Sequence, residues 1–558
     1  NYFVSQFMKN SAVTNNFLRW LIALAVVIGS LGLFSPVLNS NDAYFYAVIS
    51  KTMVTSHNWV DLYYAGQDWL DKPHLPFWLT AFSFKLFGVS AFAYVLPGFI
   101  FNLIGALYTY KLAKLFYDET TGLVAALIYV TSLHLMLSAM DVRAEAYLLG
   151  EIMPACYYWL VYDRSSQIKA LLLASLVTGL ALMTKGLFVV ITIFSGLVAS
   201  WIYARHYWRI ISPKWLLAYG LSLAWALPEF VCLYLQFDAH PEKIVFGHTQ
   251  VSGLAWFFWG SQFGRFFNSG PIVNTHGNPF FFVHTLLWAF LPWSLVFILA
   301  LYTSLRNFKQ QIADKQSVLI YLQFSFWLTF ILFSATKFQL DHYTNIIMPF
   351  AAILCANYLL TQVNLRNLAR FQLSIAILLS VLTLGLIAFI FKFSYYSLFA
   401  FLPLLLVVGI IQRSNHHSPL QRCLIWPSLA INCAFIFIML VNGVIYQRYD
   451  VGYNVAQTLN SVPNKLPIYV LGLNGMVNNL DFQSNHPVYP INSLTEIQAK
   501  NYYLLVADNF ALNLPTPAEK IADYNGIEMM KFIPSLLSKK NYQNSIQHDT
   551  LYLVINAH

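Results

Sequence analysis

The chain has 558 residues, of which 58% are hydrophobic and only 10% are charged, with a mean hydropathy of +0.58. A soluble protein carries about 25% charged residues, so this composition excludes a wholly soluble protein and marks a polytopic membrane protein. The net charge of +9 does not point to nucleic acid, because the Lys and Arg residues fall mainly in short loops between apolar runs, where they report membrane orientation.

Window hydropathy predicts about thirteen spans, over 15–36, 92–113, 121–140, 145–162, 168–184, 186–203, 215–236, 281–303, 317–335, 343–361, 371–390, 395–411 and 424–446. The first lacks a small-residue cleavage site and is expected to be a retained anchor. The pair flanking "MTKG" also reads as one long broken helix over 168–203. Alternate loops carry Lys111 and Lys114; Arg164 and Lys169; Arg205, Arg209 and Lys214; Arg306, Lys309 and Lys315; Arg366 and Arg370; Arg413 and Arg422. The short loops between them hold only Arg143, Lys185, Lys337 and Lys392. Lys and Arg are enriched on the cytoplasmic side, which puts the N-terminus in the cytoplasm and the C-terminus outside.

The expected fold class is therefore mainly α and transmembrane, with a small external α/β domain at the C-terminus. Residues 1–446 form the membrane domain, with external loops 37–91 and 236–280, and 447–558 form the C-terminal domain. In that tail "LPIYVLG", "HPVYPI", "YYLLVAD" and "TLYLVINA" read as strands, and Ser493 to Glu496 carries a capping-box signature. Cys156, Cys232, Cys355, Cys423 and Cys433 sit in or beside apolar runs without metal-ligand spacing, so neither disulfides nor a zinc site is expected. No cofactor is required, and a divalent cation is left open.

The polar residues that stand out fall on the outer face. Asp42 follows the first span. "WLDKPHLPFWL" brings Asp71, Lys72 and His74 in an interfacial amphipathic stretch, and "SAMDVRAEAY" brings Asp141, Arg143 and Glu145. Lys185 lies in "MTKG", Arg265 sits among aromatics in "FFWGSQFGRFF", and "TKFQLDHY" adds Lys337, Asp341, His342 and Tyr343. Taken singly, each has a plain reading: a lysine snorkelling to the interface, a self-compensating ion cluster, a hydrogen-bonded structural histidine. Together they are distant segments delivering charge to one membrane face, and charge at a bilayer boundary gathers in polar cavities where it is costly and functional. Lysines with an arginine hold a phosphate, and a nearby carboxylate orients or deprotonates an attacking hydroxyl. A phosphate at that depth belongs to a lipid, which favours an enzyme using a polyprenyl-phosphate donor.

At these residues the sequence resembles the GT-C class of integral-membrane glycosyltransferases, in the branch of the bacterial aminoarabinose transferases that modify lipid A, related to the protein O-mannosyltransferases. The likeness runs through "DAYFYAVIS", "DKPHLPFWLTAFSFKLFGVSAFAYVLPG", "MDVRAEAYLLG", "LMTKG", "FFWGSQFGRF" and "ATKFQLDHYTNIIMPF", in that order. It implies a GT-C fold with Asp42 at the reaction centre and Glu145 or Asp141 as the second acid. Lys72 and Arg265 would bind the donor phosphate, with Tyr343 and His342 helping and Lys185 supporting the donor's or acceptor's negative charge. Asp71, His74 and Lys337 would complete the cavity. The chain departs from the family at Ala43 and Phe45, where a second acid and an arginine are common, and at Pro73-His74, where Pro-Pro is prevalent.

The implied reaction is transfer of a sugar, an amino sugar by analogy, from a polyprenyl phosphate such as undecaprenyl phosphate to lipid A, inverting the anomeric centre. It would take place at the periplasmic face of a bacterial inner membrane, by a monomer with no nucleic-acid partner. A protein Ser or Thr or another surface glycan is the alternative acceptor. A lipid or solute transporter ranks below both, because transporters show internal repeats and midplane charges and this chain shows neither.

Overall fold

The computed structural model describes residues 14–274, 277–306, 317–391, 395–472, 477–507, 517–527 and 538–555. Lys309, Lys315 and Lys392 of the charge pattern, and the end of "TLYLVINA", lie outside the described residues. The chain is mainly helical and divides into two units. Asn1–Leu31, Leu70–Pro76 and Pro97–Phe437 make the first, and Gly32–Trp69, Phe77–Leu96 and Ile438–His558 the second.

Among the described residues eight helices are long and apolar enough to cross a membrane, or nine when the pair Pro213–Trp225 and Leu227–Asp238, bent by 46°, counts as one span. The protein is thus a multi-span membrane protein. The remaining expected spans are interrupted, short or charged. The 121–140 stretch is Glu119–Val130 followed by Leu133–Ser138, and 281–303 is Phe281–Ala289 followed by Ser294–Arg306. The two helices flanking "MTKG" are separate, Ile168–Lys185 and Phe188–Tyr203, the second only 16 residues long. Ala144–Ser165 is continuous but carries Glu145, Glu151, Asp163 and Arg164. Hydropathy sums over a break as readily as over a helix, since "TS" or "FLPW" inside an apolar run barely lowers the mean.

In the first unit the helices Ala91–Phe116 and Ala144–Ser165 meet at glycines. A Cβ on Gly150 would lie 2.4 Å from the Phe101 carbonyl oxygen, and one on Gly105 would lie 3.0 Å from that of Leu149. Lipid tails are as apolar as leucine, so small residues that let backbones touch supply the packing between membrane helices. This contact carries the Glu145 end of its helix into the unit.

In the second unit β1 (Tyr63–Tyr64) and β2 (Gln67–Asp68) pair antiparallel. β3 (Ile468–Leu471), β4 (Val488–Ile491), β5 (Tyr502–Ala507), β6 (Ala518–Gly526) and β7 (Gln547–Val554) form a five-stranded sheet in the order β4-β3-β5-β7-β6. β4, β3 and β5 are parallel, while β7 runs antiparallel to both β5 and β6. Both faces of β3 and β5 are covered, as befits parallel strands. Val455, Val470 and Leu505 lie in the core of one face, Tyr469, Leu504 and Val554 in that of the other. The helix Val451–Leu459 is capped by Asp450, which also accepts the Tyr44 hydroxyl at 3.0 Å. That bond ties the helix Asn41–Ser56 to the sheet's helices within this unit.

Substituting Gly150→Ala is expected to cost roughly 1–3 kcal/mol, read as a lower melting temperature in detergent. Gly385→Ala, where a Cβ meets nothing within 4 Å, is the control; equal melting of both variants would argue against the close contact.

Candidate active site

The first unit encloses a cavity of about 780 Å³, part of it open to solvent, walled by apolar side chains and a few charges. The charges are Asp71, Lys72, Glu145, Lys185 and Arg265, with Tyr343 beside them. Each comes from an end or a break of a helix. Lys72 lies in the turn before the helix Leu75–Phe87, Glu145 in the first turn of Ala144–Ser165, and Lys185 on the last residue of its helix. Arg265 is in the last turn of Ser261–Phe267, and Tyr343 in the 3-10 turn Asp341–Ile347. Such positions leave side chains free of the helix lattice and pointing to a common space.

Two ion pairs organise the cavity. Arg265 donates to the Asp71 carboxylate, and Lys72 Nζ lies 3.2 Å from the other Asp71 oxygen. The Arg265 guanidinium also sits over the Phe338 ring, 5.5 Å from its centre. Burial pushes the Asp71 carboxyl up, but Lys72 and Arg265 outweigh it and hold it below the usual carboxylate range. Burial, reinforced by the Arg265 charge, pushes the Lys72 ammonium down to about 8 against the pull of Asp71. In the second pair Lys185 donates to Glu145, and its Nζ stands 4.1 Å from the centre of the Tyr343 ring.

Gln262 couples the two. Its carbonyl oxygen accepts the Phe188 N–H at 3.4 Å, and its amide donates to Ser261 Oγ at 2.8 Å. Between Lys185 and Phe188 the chain turns at Gly186, whose φ is +90°, and a Cβ there would lie 2.3 Å from Gln262 Nε2. Only glycine meets both conditions, which is a physical reason for the Gly of the Thr-Lys-Gly stretch.

Of the other expected site residues, Asp141, Arg143, Asp341 and His342 form a cluster behind Glu145. Arg143 donates to Asp141 at 3.2 Å and approaches His342 Nδ1 at 3.2 Å, while His342 Nε2 is 3.7 Å from Glu145. His342 Nδ1 is also 3.2 Å from Asp341. None of these four lines the cavity, so of the two second-acid candidates Glu145 is the one that does. Lys337 is exposed, with its backbone N–H bonded to the Phe266 carbonyl at 3.1 Å. His74, expected at the cavity, is fully buried against Glu229 instead. Asp42 belongs to the second unit, exposed in the first turn of a helix capped by Ser40. Phe45, where the family commonly has arginine, packs its ring at a tilt against Tyr64 and Trp69, with ring centres 4.1 and 5.4 Å apart. Residues not singled out in the sequence are Gln262, Glu229 and the aromatic wall of Phe188, Phe266, Phe333 and Phe338. Among the described residues no group of three or more His, Cys, Asp and Glu is placed to hold a metal ion.

The chain has the fold of the GT-C integral-membrane glycosyltransferases. It superposes on ArnT from Cupriavidus metallidurans in the apo state with a TM-score of 0.73 at 16% identity, covering 96% of this chain and 98% of that one. For the same protein bound to undecaprenyl phosphate the TM-score is 0.70 at 17% identity, covering 97% and 98%. In sequence, residues 71–231 match the dolichyl-phosphate-mannose-protein mannosyltransferase family. Within that class the chain is similar to the undecaprenyl phosphate-alpha-4-amino-4-deoxy-L-arabinose arabinosyl transferase 2 of Proteus mirabilis, 26% identical over 348 residues. The match covers 61% of this chain and 58% of that relative's length. The expected likeness to this class therefore holds in both sequence and fold.

Replacing Lys185 by methionine strands a buried carboxylate. Lys185→Met is expected to lower stability by roughly 2–4 kcal/mol, allowing for the part of Lys185 that stays wet. Lys185→Met with Glu145→Gln should recover much of the loss in a thermal melt.

Proposed function

We propose that the protein is a glycosyltransferase that moves a sugar from a polyprenyl-phosphate donor to lipid A at the outer face of a bacterial inner membrane. The observation that carries the reading is the charge balance of the cavity. Lys72, Lys185 and Arg265 face Asp71 and Glu145, leaving one net positive charge beside an aromatic wall. A sugar-linked lipid phosphate is a monoanion attached to an apolar chain, so both halves of the cavity find a counterpart in it. The donors named for the similar arabinosyl transferases support the same choice.

In this reading an acceptor oxygen attacks the anomeric carbon, and the bond from that carbon to the phosphate oxygen breaks with its electron pair leaving on the phosphate. Lys72 and Arg265 stabilise the departing charge, preorganised by Asp71 so that little reorientation is needed during the reaction. Lys185 and Tyr343 border the same space, and Glu145 holds Lys185 in place. The displacement inverts the anomeric centre. A lipid A phosphate is already an anion and needs no base; a hydroxyl acceptor would need one, the role the resemblance gives to Asp42. The amino sugar is assigned by likeness to the aminoarabinose transferases. The topology that goes with this function has thirteen crossings, a cytoplasmic N-terminus, a periplasmic site, and residues 447–558 as a periplasmic α/β domain.

Mass spectrometry of lipid A from cells with and without the gene is expected to show one sugar added per modified site; an unchanged spectrum sinks the lipid A assignment. Asp42→Asn and Lys72→Ala proteins that fold should each lose turnover.

The pH dependence of donor binding follows from Lys72. Below pH 8 the free protein already carries the ammonium. Above it Lys72 is neutral, and binding a phosphate must take up a proton. Affinity for a polyprenyl phosphate should then fall as pH rises past about 8, by up to about tenfold per pH unit. Lys72→Arg, which does not titrate in this range, should flatten that fall.

A further inference from the structure

The turn that carries Asp71 and Lys72 is held at both ends by one helix. At its start Leu70 packs with Leu233, Phe237 and Phe257. At its end the Glu229 carboxylate accepts the His74 backbone N–H at 2.9 Å and lies 3.1 and 3.2 Å from the His74 ring Nδ1. Both side chains are fully buried, and neither lines the cavity. Glu229 and Leu233 are four residues apart on the helix Leu227–Leu233, hence on one face of it.

That helix begins where the span bends by 46°. Pro228 accounts for the bend, since it cannot donate into the preceding turn and its ring clashes with it. The break puts Glu229 in a first helical turn, whose dipole favours a carboxylate, and faces it toward the incoming chain. Only Asp71, Lys72 and Pro73 lie between the two anchors, and Pro73 fixes its own φ. The Lys72 backbone therefore has little freedom that Glu229 does not control. A proline at position 74 would have neither the N–H nor the ring to make this contact.

We propose that Glu229, acting through His74, is a positioning residue that sets Lys72 for the donor phosphate. The proposal rests on Lys72 as a phosphate ligand. A carboxylate buried in a membrane protein is costly and is kept for function. Here it secures two hydrogen bonds to the turn, and it reaches the phosphate only through the lysine. His74, read from the sequence as a cavity residue, becomes the link in that chain.

The test is a double-mutant cycle on the full-length protein in detergent, with farnesyl phosphate as the probe and calorimetric affinity as the readout. Thermal melting confirms that each variant is folded. Lys72→Ala is expected to weaken binding. Glu229→Gln keeps the shape but loses the charge and should weaken binding by about tenfold. In the Lys72→Ala background Glu229→Gln should add nothing, because it acts only through that lysine. Unchanged affinity in Glu229→Gln, or an equal loss in both backgrounds, overturns the proposal. If Glu229→Gln does not fold, Glu229→Leu with His74→Pro replaces the pair by apolar groups, and the same comparison across the two Lys72 backgrounds decides. Lys72→Ala binding as well as the native protein would instead overturn the phosphate site on which the proposal rests.

Discussion

Asp71 lies between two cations that would otherwise repel each other in a poorly hydrated space. Unit charges about 4 Å apart at an effective dielectric of about 20 interact with roughly 4 kcal/mol. Without a carboxylate in common, Lys72 and Arg265 could not both be held charged at the cavity's edge. The shared carboxylate joins the turn Leu70–His74 to the helix Ser261–Phe267, segments nearly two hundred residues apart in the chain. Gln262, from the same short helix, then reaches the turn at Gly186. One ion triad and one amide thus draw three separate helix ends around a single space.

The charged residues of the cavity, and Tyr343 beside them, stand where helices stop or break. Lys185 precedes Gly186, Glu145 follows the interruption after Leu133–Ser138, and Tyr343 lies in a 3-10 turn before the helix Met348–Thr361. Within a membrane, irregular backbone is tolerated where it is covered by protein or lines a water-accessible cavity. The features that shorten the spans are therefore the ones that build the site. They also explain why window hydropathy, which is blind to backbone continuity, sees single spans over 121–140 and 281–303 where the helices are interrupted.

The sequence was legible where chemistry is local. Lys72, Arg265, Glu145 and Lys185 announce themselves as charges among aromatic and apolar neighbours, and all line one cavity. Glu229 was less visible because "LPEFVCL" reads as the middle of a span. Its signal is nonetheless present: a carboxylate directly after a proline inside an apolar run is an expensive residue at a helix-bending position. Which side of Glu145 faces the cavity and which the Arg143 cluster is a matter of helix rotation, and spacing alone does not decide it. The strand Ala518–Gly526 is not legible in the sequence, because Glu519, Lys520 and Asp523 interrupt its apolar alternation. It is an edge strand, and charges there guard against pairing with another chain.

The five cysteines, none in a disulfide and all buried, have a practical consequence. Each is shielded from an aqueous maleimide in the folded state, so the native chain should be nearly silent to thiol labelling. A single cysteine introduced into any loop would then report its own side of the membrane, without first rebuilding the protein free of sulfhydryls.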